Sequence, residues 1–246
     1  MANIRAKGII IKQSDYGEGH RILNIFAEGL GIIRAISYGA GKSKSALASA
    51  SQFLCCGTFD LFKGTKNMMN VNSIDVTESF YHISEDIEKL SLMNYLSDVT
   101  YGLLGENNAD DTILRLYLNT VYALAYRNEP VKKIKTVYEF KLMSYGGYKP
   151  EISKCTDCNE DEIYGFDMEK GGVVCRNCMS KSSVRVNASV LKAISYIINS
   201  DDKKMLAFSA TDEMIDYLNK ISENYVTVQL DKNFKSLDYY KVITMS

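Results

Sequence analysis

Four cysteines constrain this chain more than any other feature: "CTDC" at 155–158 and, sixteen residues later, "CRNC" at 175–178. Two CxxC knuckles at this separation are the usual sequence form of a tetrahedral four-thiolate metal site. Each knuckle brings two sulfurs to one ion while nearby backbone amides hydrogen-bond the thiolates. Gly165, Gly171 and Gly172 lie between the knuckles, where a ribbon hairpin must turn. The spacing therefore predicts that Cys155, Cys158, Cys175 and Cys178 hold one Zn2+ per chain. Four protein ligands leave no open position for water, so the expected role is structural. A redox role for CxxC needs a thioredoxin-like βαβ setting, which is absent here. Cys55 and Cys56 are neighbours in an expected strand, point to opposite faces and read as core thiols.

Cysteine chemistry depends on compartment. The segment "MANIRAKGIIIKQSDYGEG" holds only three consecutive apolar residues before Lys12, short of the roughly 7–15 apolar residues of a signal peptide. No stretch approaches the ~20 apolar residues that cross a bilayer. A cytoplasmic protein without membrane attachment is expected, and there cysteines serve as thiols or metal ligands rather than disulfides. The net charge of −1 conceals an asymmetry. Residues 1–50 carry seven Lys/Arg against three Asp/Glu, a net of +4; the other 22 Lys/Arg face 27 Asp/Glu, a net of −5. A basic N-terminal module suggests a polyanionic partner for that module alone.

The hydrophobic pattern divides the chain. Up to residue 80, "AKGIIIKQ", "HRILNIFA", "GIIRAISYG", "SQFLCCGTFDLFKG" and "MMNVNSIDVTES" are β-branched or aromatic runs separated by Gly, Ser and Asn. In the fourth, Phe53, Cys55, Gly57, Phe59 and Leu61 share one face by alternation. Five short antiparallel strands in 80 residues suit a small closed barrel such as an OB-fold, with an SH3-like barrel or open meander as alternatives. From Tyr81 the period turns helical, with Ile83, Ile87, Leu90 and Leu96 at three- and four-residue steps. Asp110 or Asp111 opens a second helix that closes before Pro130, and "VKKIKTVYEFKLMSYGG" forms a third that stops at Gly146-Gly147. "NASVLKAISYIINS" and "SATDEMIDYLNKISENYV" supply two more, and the last twenty residues show no firm pattern. The fold class expected is α+β, with residues 1–80 an OB-fold nucleic-acid-binding domain. Residues 81–246 form an α-helical domain with a zinc-ribbon insert at 151–185.

"SYGAGKSKSALAS" at 37–49 imitates a nucleotide-binding loop. A P-loop requires a glycine five positions before its Gly-Lys pair, and five before Gly41 stands Ile36. The stretch also lies among antiparallel strands rather than between a parallel strand and a helix. Its lysines read as a basic loop that meets phosphates directly, or as an ordinary solvated loop. Arg5, Lys7, Arg21, Arg34, Lys42 and Lys44 are the candidate DNA contacts, with Lys132, Lys133 and Lys135 next in line. Tyr16, Tyr38, Phe26 and Phe53 are candidates for base stacking and equally for core. His20 reads as a surface or phosphate-contacting residue and His82 as part of a helix start. Asp110-Asp111 and Asp201-Asp202 read as pairs at helix starts rather than a two-metal site. No serine sits in a GxSxG elbow, and no catalytic or cofactor-binding residues emerge.

These parts together resemble the bacterial recombination mediator RecO family. The resemblance rests on "DYGE" at Asp15 to Glu18 with Arg21 opening the next strand, and on "GIIRAISYGAGKSKS" from Gly31 to Ser45. It continues through "YEFKLMSYGGYKP" at Tyr138 to Pro150 and "GGVVCRNC" at Gly171 to Cys178. The family's basic loop usually reads Lys-Gly-Ala followed by Arg, whereas here Tyr38-Gly39-Ala40-Gly41 precedes Lys42, so part of that loop's charge is displaced. The resemblance implies an N-terminal OB-fold, a helical domain with a zinc ribbon, and no enzymatic turnover. It implies binding of single- and double-stranded DNA and annealing of complementary strands in the cytoplasm, in association with the nucleoid. It also implies joint action with RecR that helps RecA displace single-stranded-DNA-binding protein during recombinational repair. Two other readings of the residues stay open: a zinc-ribbon RNA-binding adaptor in transcription or translation, and a hydrolase whose site no motif reveals.

Overall fold

The computed structural model describes residues 3–42, 45–63 and 68–245. Its strands β1 (Asn3–Tyr16), β2 (His20–Ala27), β3 (Gly31–Ser37), β4 (Cys56–Lys63) and β5 (Met69–Glu78) close into a barrel of order β1-β2-β3-β5-β4. This is the five-stranded OB-fold that the strand count predicts. Alternation drives the inner side: Ala6 and Ile10, Leu23 and Ile25, Ile33 and Ala35, and Phe59 and Leu61 fill one apolar core. Not every pair is antiparallel, because β3 runs parallel to β5 at Ala35↔Met69 and Ile36↔Asn70. The reason is geometric. Five strands closed in a ring cannot alternate direction all the way round, so one neighbouring pair must run parallel.

The fourth strand is shorter than its alternation suggests. Leu54 has φ 64, a left-handed conformation that interrupts the extended backbone, so the regular strand begins at Cys56 although the Leu54 N–H and Cys55 O still bond Ile10 of β1. Leu54 and Cys55 are both buried. Cys55 belongs to the barrel core, where burial, and behind it Cys56, pushes its thiol up to about 11. Between β3 and β4 lies α1 (Ala46–Ala50), a five-residue helix whose N-terminus is already capped by Ser45 Oγ, 3.2 Å from the Leu47 N–H.

Two compact units emerge, one of residues 1–115 and 239–246, the other of residues 116–238. After α2 (Tyr81–Ser84), helix α3 (Ile87–Leu104) packs on β1 and β3. Lys12 Nζ on β1 reaches Asp98 Oδ1 on α3 at 2.8 Å. The chain after α3 passes so close to Gly31, at φ 74, that a Cβ there would collide with the Asn108 backbone. Helix α3 starts where Asp86 accepts from the Glu88 and Lys89 N–H groups. Helix α4 (Asp111–Tyr126) follows Asp110, which accepts from Thr112 and Ile113.

The second unit is built around α5 (Val131–Tyr145), which packs against α6 (Ala188–Asn199) and α7 (Asp212–Gln229). It ends as its glycines predict: Gly147 takes φ 91 and the Tyr148 N–H reaches back to Met143 O at 2.8 Å, the Schellman pattern. Every residue from Lys133 to Met143 is buried, so over this stretch α5 has no solvent face and its charged residues lie inside, whereas Lys132 just before it stays part-exposed. Two expectations are corrected here. Asp201 and Asp202 start no helix; Asp202 instead lies 3.0 Å from Lys141 Nζ and accepts from Tyr145 Oη at 2.7 Å, while Thr211 caps α7. The final residues, without a clear pattern, form α8 (Lys235–Met245). Among the described residues no helix is long and apolar enough to cross a membrane.

Candidate metal centre and nucleic-acid interface

The ribbon is a three-stranded sheet of order β7-β6-β8, made of β6 (Gly165–Asp167), β7 (Gly172–Val174) and β8 (Ser183–Arg185). Of its glycines only Gly171, at φ 73, makes the hairpin turn. Gly165 lies in the sheet, where a Cβ would strike Met179 Sδ. The knuckles flank this sheet and bring the Sγ atoms of Cys155, Cys158, Cys175 and Cys178 within 4.8 Å of one another. A tetrahedral ion with metal–sulfur bonds of about 2.3 Å, the zinc–thiolate value, sets sulfurs about 3.8 Å apart. Cys158 and Cys175 stand 3.6 Å apart, so donor type and spacing both fit such an ion. Burial opposes ionisation of Cys155, yet backbone N–H groups at Cys158, Cys175 and Asp157 outweigh it and draw the thiol down to about 6. The thiols of Cys158 and Cys175 push Cys178 the other way.

Two charged side chains brace the knuckles, and the cysteine spacing signals neither. Lys170 Nζ lies 2.5 Å from Asp157 Oδ2 in the first knuckle and 3.0 Å from Cys178 O in the second. Its hydrogen bond holds the Asp157 carboxyl below the usual carboxylate range. Asp167 is fully buried and accepts from the Glu169 and Lys170 N–H groups and from Ser180 Oγ and Ser183 Oγ. Burial alone would raise its pKa, but these donors outweigh it and the carboxyl is lowered. Asp167 thereby ties the β6–β7 turn to the segment after the second knuckle.

The barrel distributes its candidate cations rather than gathering them. Arg5 is exposed but stands 3.7 Å from Asp60 and 3.9 Å from Asp75. Lys7, two residues on, is also exposed. Arg21 is mostly covered: its Nη1 donates to Ala48 O at 3.0 Å and its Nε lies 3.9 Å from Asp15, fastening α1 to the barrel. Arg34 is exposed on β3, in register with Asn24 on β2 and, through it, with Lys12 on β1. These three side chains and Tyr101 line a groove of about 280 Å³. Lys42 is exposed in the loop after β3, its stem lying against Gly19. Lys44 falls outside the described residues.

The other candidates separate cleanly. Tyr38 is 52% exposed and Tyr16 36%, while Phe26 is fully buried in the barrel and Phe53 half-buried. The Gly39 N–H donates to His20 Nδ1 at 2.9 Å, and the His20 ring meets Tyr38 edge-on at 5.0 Å. His82 sits in α2 beside Glu85. The reserve lysines on α5 are engaged: Lys132 pairs with Asp216, Lys133 with Glu129, and Lys135 with Glu139 and Glu223.

Comparison with known proteins joins these parts. The family profile described as Recombination protein O N terminal matches residues 1–80, and that described as Recombination protein O C terminal matches residues 84–238. The chain belongs to the RecO family. A protein named DNA repair protein RecO from Acetivibrio thermocellus is 35% identical over 99% of this chain and 98% of its own length. Proteins of the same name from Alkaliphilus metalliredigens and Clostridium perfringens are each 29% identical, covering 98% and 99% of this chain and 99% of their own lengths. The RecO match runs through both the barrel and the cysteine knuckles.

Proposed function

We propose that this chain is a DNA-repair protein that binds single- and double-stranded DNA, anneals complementary strands and works without enzymatic turnover. The observation that carries the reading is a closed OB-fold with Lys7, Arg34 and Lys42 exposed in a chain of the RecO family. None of the three forms an ion pair among the described residues. Annealing needs no reactive side chain. It needs cationic surface that screens two phosphate backbones and lets bases pair, with release of condensed counterions supplying affinity. Lys7, Arg34, Lys42 and Lys44 are the phosphate contacts in this reading. Arg5 contributes less because two carboxylates face it, and Arg21 acts mainly by holding α1. Cys155, Cys158, Cys175 and Cys178 bind one structural Zn2+, which supplies folding energy to the ribbon.

In the cell, the protein acts in the nucleoid-containing cytoplasm with RecR. Together they help RecA take over strands coated by single-stranded-DNA-binding protein. The deciding experiment follows annealing of complementary oligonucleotides, bare and coated with that protein, with and without RecR. Acceleration on both substrates supports the proposal. Tight RNA binding with no acceleration of DNA annealing overturns it in favour of an RNA-binding adaptor.

A further inference from the structure

The zinc ribbon carries a cationic cluster that a purely structural role leaves unused. Arg176 lies inside the second knuckle, between Cys175 and Cys178, and Arg185 ends β8. Their guanidinium carbons lie 5.6 and 5.3 Å from the centroid of the Tyr164 ring. Both arginines are exposed. Among the described residues neither guanidinium forms an ion pair or a side-chain hydrogen bond. Two like charges drawn to one aromatic ring keep all their N–H donors available. A guanidinium held on a ring face is also pre-organised for bidentate contact with phosphate oxygens.

We propose that Arg176 and Arg185, positioned by Tyr164, form a second phosphodiester-binding site, so that the ribbon is itself a nucleic-acid contact. The ligand class follows from exposure. A small anion needs an enclosed pocket to offset its desolvation, whereas a polyanion gains affinity at an open surface by releasing counterions. Glu160 and Glu162 line the adjoining groove of about 300 Å³ together with Tyr164 and Arg176, and they set the side from which a phosphate backbone is repelled. Fixing the knuckle around a metal ion fixes the backbone of Arg176, which couples the metal to DNA binding. The β6–β8 pairing Gly165↔Arg185 and the Val186 N–H to Tyr164 O bond at 3.2 Å hold the other two residues together.

This inference rests on the DNA-binding reading above and places a further contact within it. The test uses the full chain, confirmed to hold one zinc, with a labelled oligo-dT strand and a mixed-sequence duplex titrated across a salt series. Arg176→Gln/Arg185→Gln should flatten the slope of log K against log salt by about 1.4 on the single strand and about 1.8 on the duplex. Arg185→Gln alone, outside the knuckle, should give half of each change even if the double variant loses metal. Arg176→Lys/Arg185→Lys should keep most of the slope, and Tyr164→Phe should match the parent while Tyr164→Leu weakens binding. Parent-like affinity and slope in a metal-loaded double variant overturn the proposal. A Lys7→Ala/Arg34→Ala/Lys42→Ala variant measured in parallel separates the two readings. Parent-like behaviour in that variant alone removes the barrel contacts and leaves the ribbon site standing.

Discussion

On the barrel, Lys7, Arg34 and Lys42 stand exposed and form no ion pair among the described residues. On α5, Lys133, Lys135 and Lys141 are buried, each beside a carboxylate: Glu129, Glu139 and Asp202. The same residue type meets opposite fates because the two elements expose different fractions of their surface. A barrel strand has one inner and one outer face, so a cation at an outward position keeps its hydration. Helix α5 is enclosed from Lys133 to Met143, so a charge in that stretch must be matched within the protein. A basic residue at an outward position of a barrel strand thus stays solvated, whereas one in the buried stretch of α5 becomes part of an internal scaffold.

That contrast is most sharply broken at the metal. If the four cysteines hold zinc as proposed, Cys175→Ser should lose the metal and unfold the ribbon, since metal binding at such sites is coupled to folding by roughly 10–16 kcal/mol in isolated peptides. A full complement of zinc in that variant, measured by metal analysis, would remove Cys175 from the ligand set. Next in size is Lys135→Met, which leaves buried Glu139 and part-buried Glu223 without their shared cation. A stability loss of about 3–5 kcal/mol is expected in urea unfolding, with DNA affinity of the folded fraction unchanged. Loss of DNA affinity at parent stability would show that Lys135 serves binding rather than the scaffold.

The barrel cations should behave the other way. In Lys7→Ala/Arg34→Ala/Lys42→Ala, stability should stay within about 0.5 kcal/mol per site. Its single-strand salt slope should flatten by roughly 2, at about 0.7 per phosphate lost. An unchanged slope, read by fluorescence anisotropy, moves the main binding surface off the barrel. The smallest effect is expected for Arg5→Ala, whose guanidinium already faces Asp60 and Asp75. Its slope change should be a fraction of one phosphate contact, and a change as large as that of Lys7→Ala would show that those carboxylates do not hold it.

Features set by neighbours within a few residues were legible in the sequence. The two knuckles, the alternation of Gly57, Phe59 and Leu61, the Asp110 start of α4 and the left-handed Gly147 all depend on short-range geometry. So does the failure of the Gly41-Lys42 stretch as a P-loop, because the missing glycine is a local fact. Sequence also ordered a barrel before helices, since period two gives way to a helical period near Tyr81. Other features needed partners far along the chain. Lys135 meets Glu223 across 88 residues and Lys12 meets Asp98 across 86, and no local pattern announces either. Closure of five strands imposed the parallel β3–β5 pair, and long-range packing set α3 against β1 and β3. Charge type and spacing are written in the chain; whether a charge faces water or a carboxylate is decided by what long-range packing places beside it.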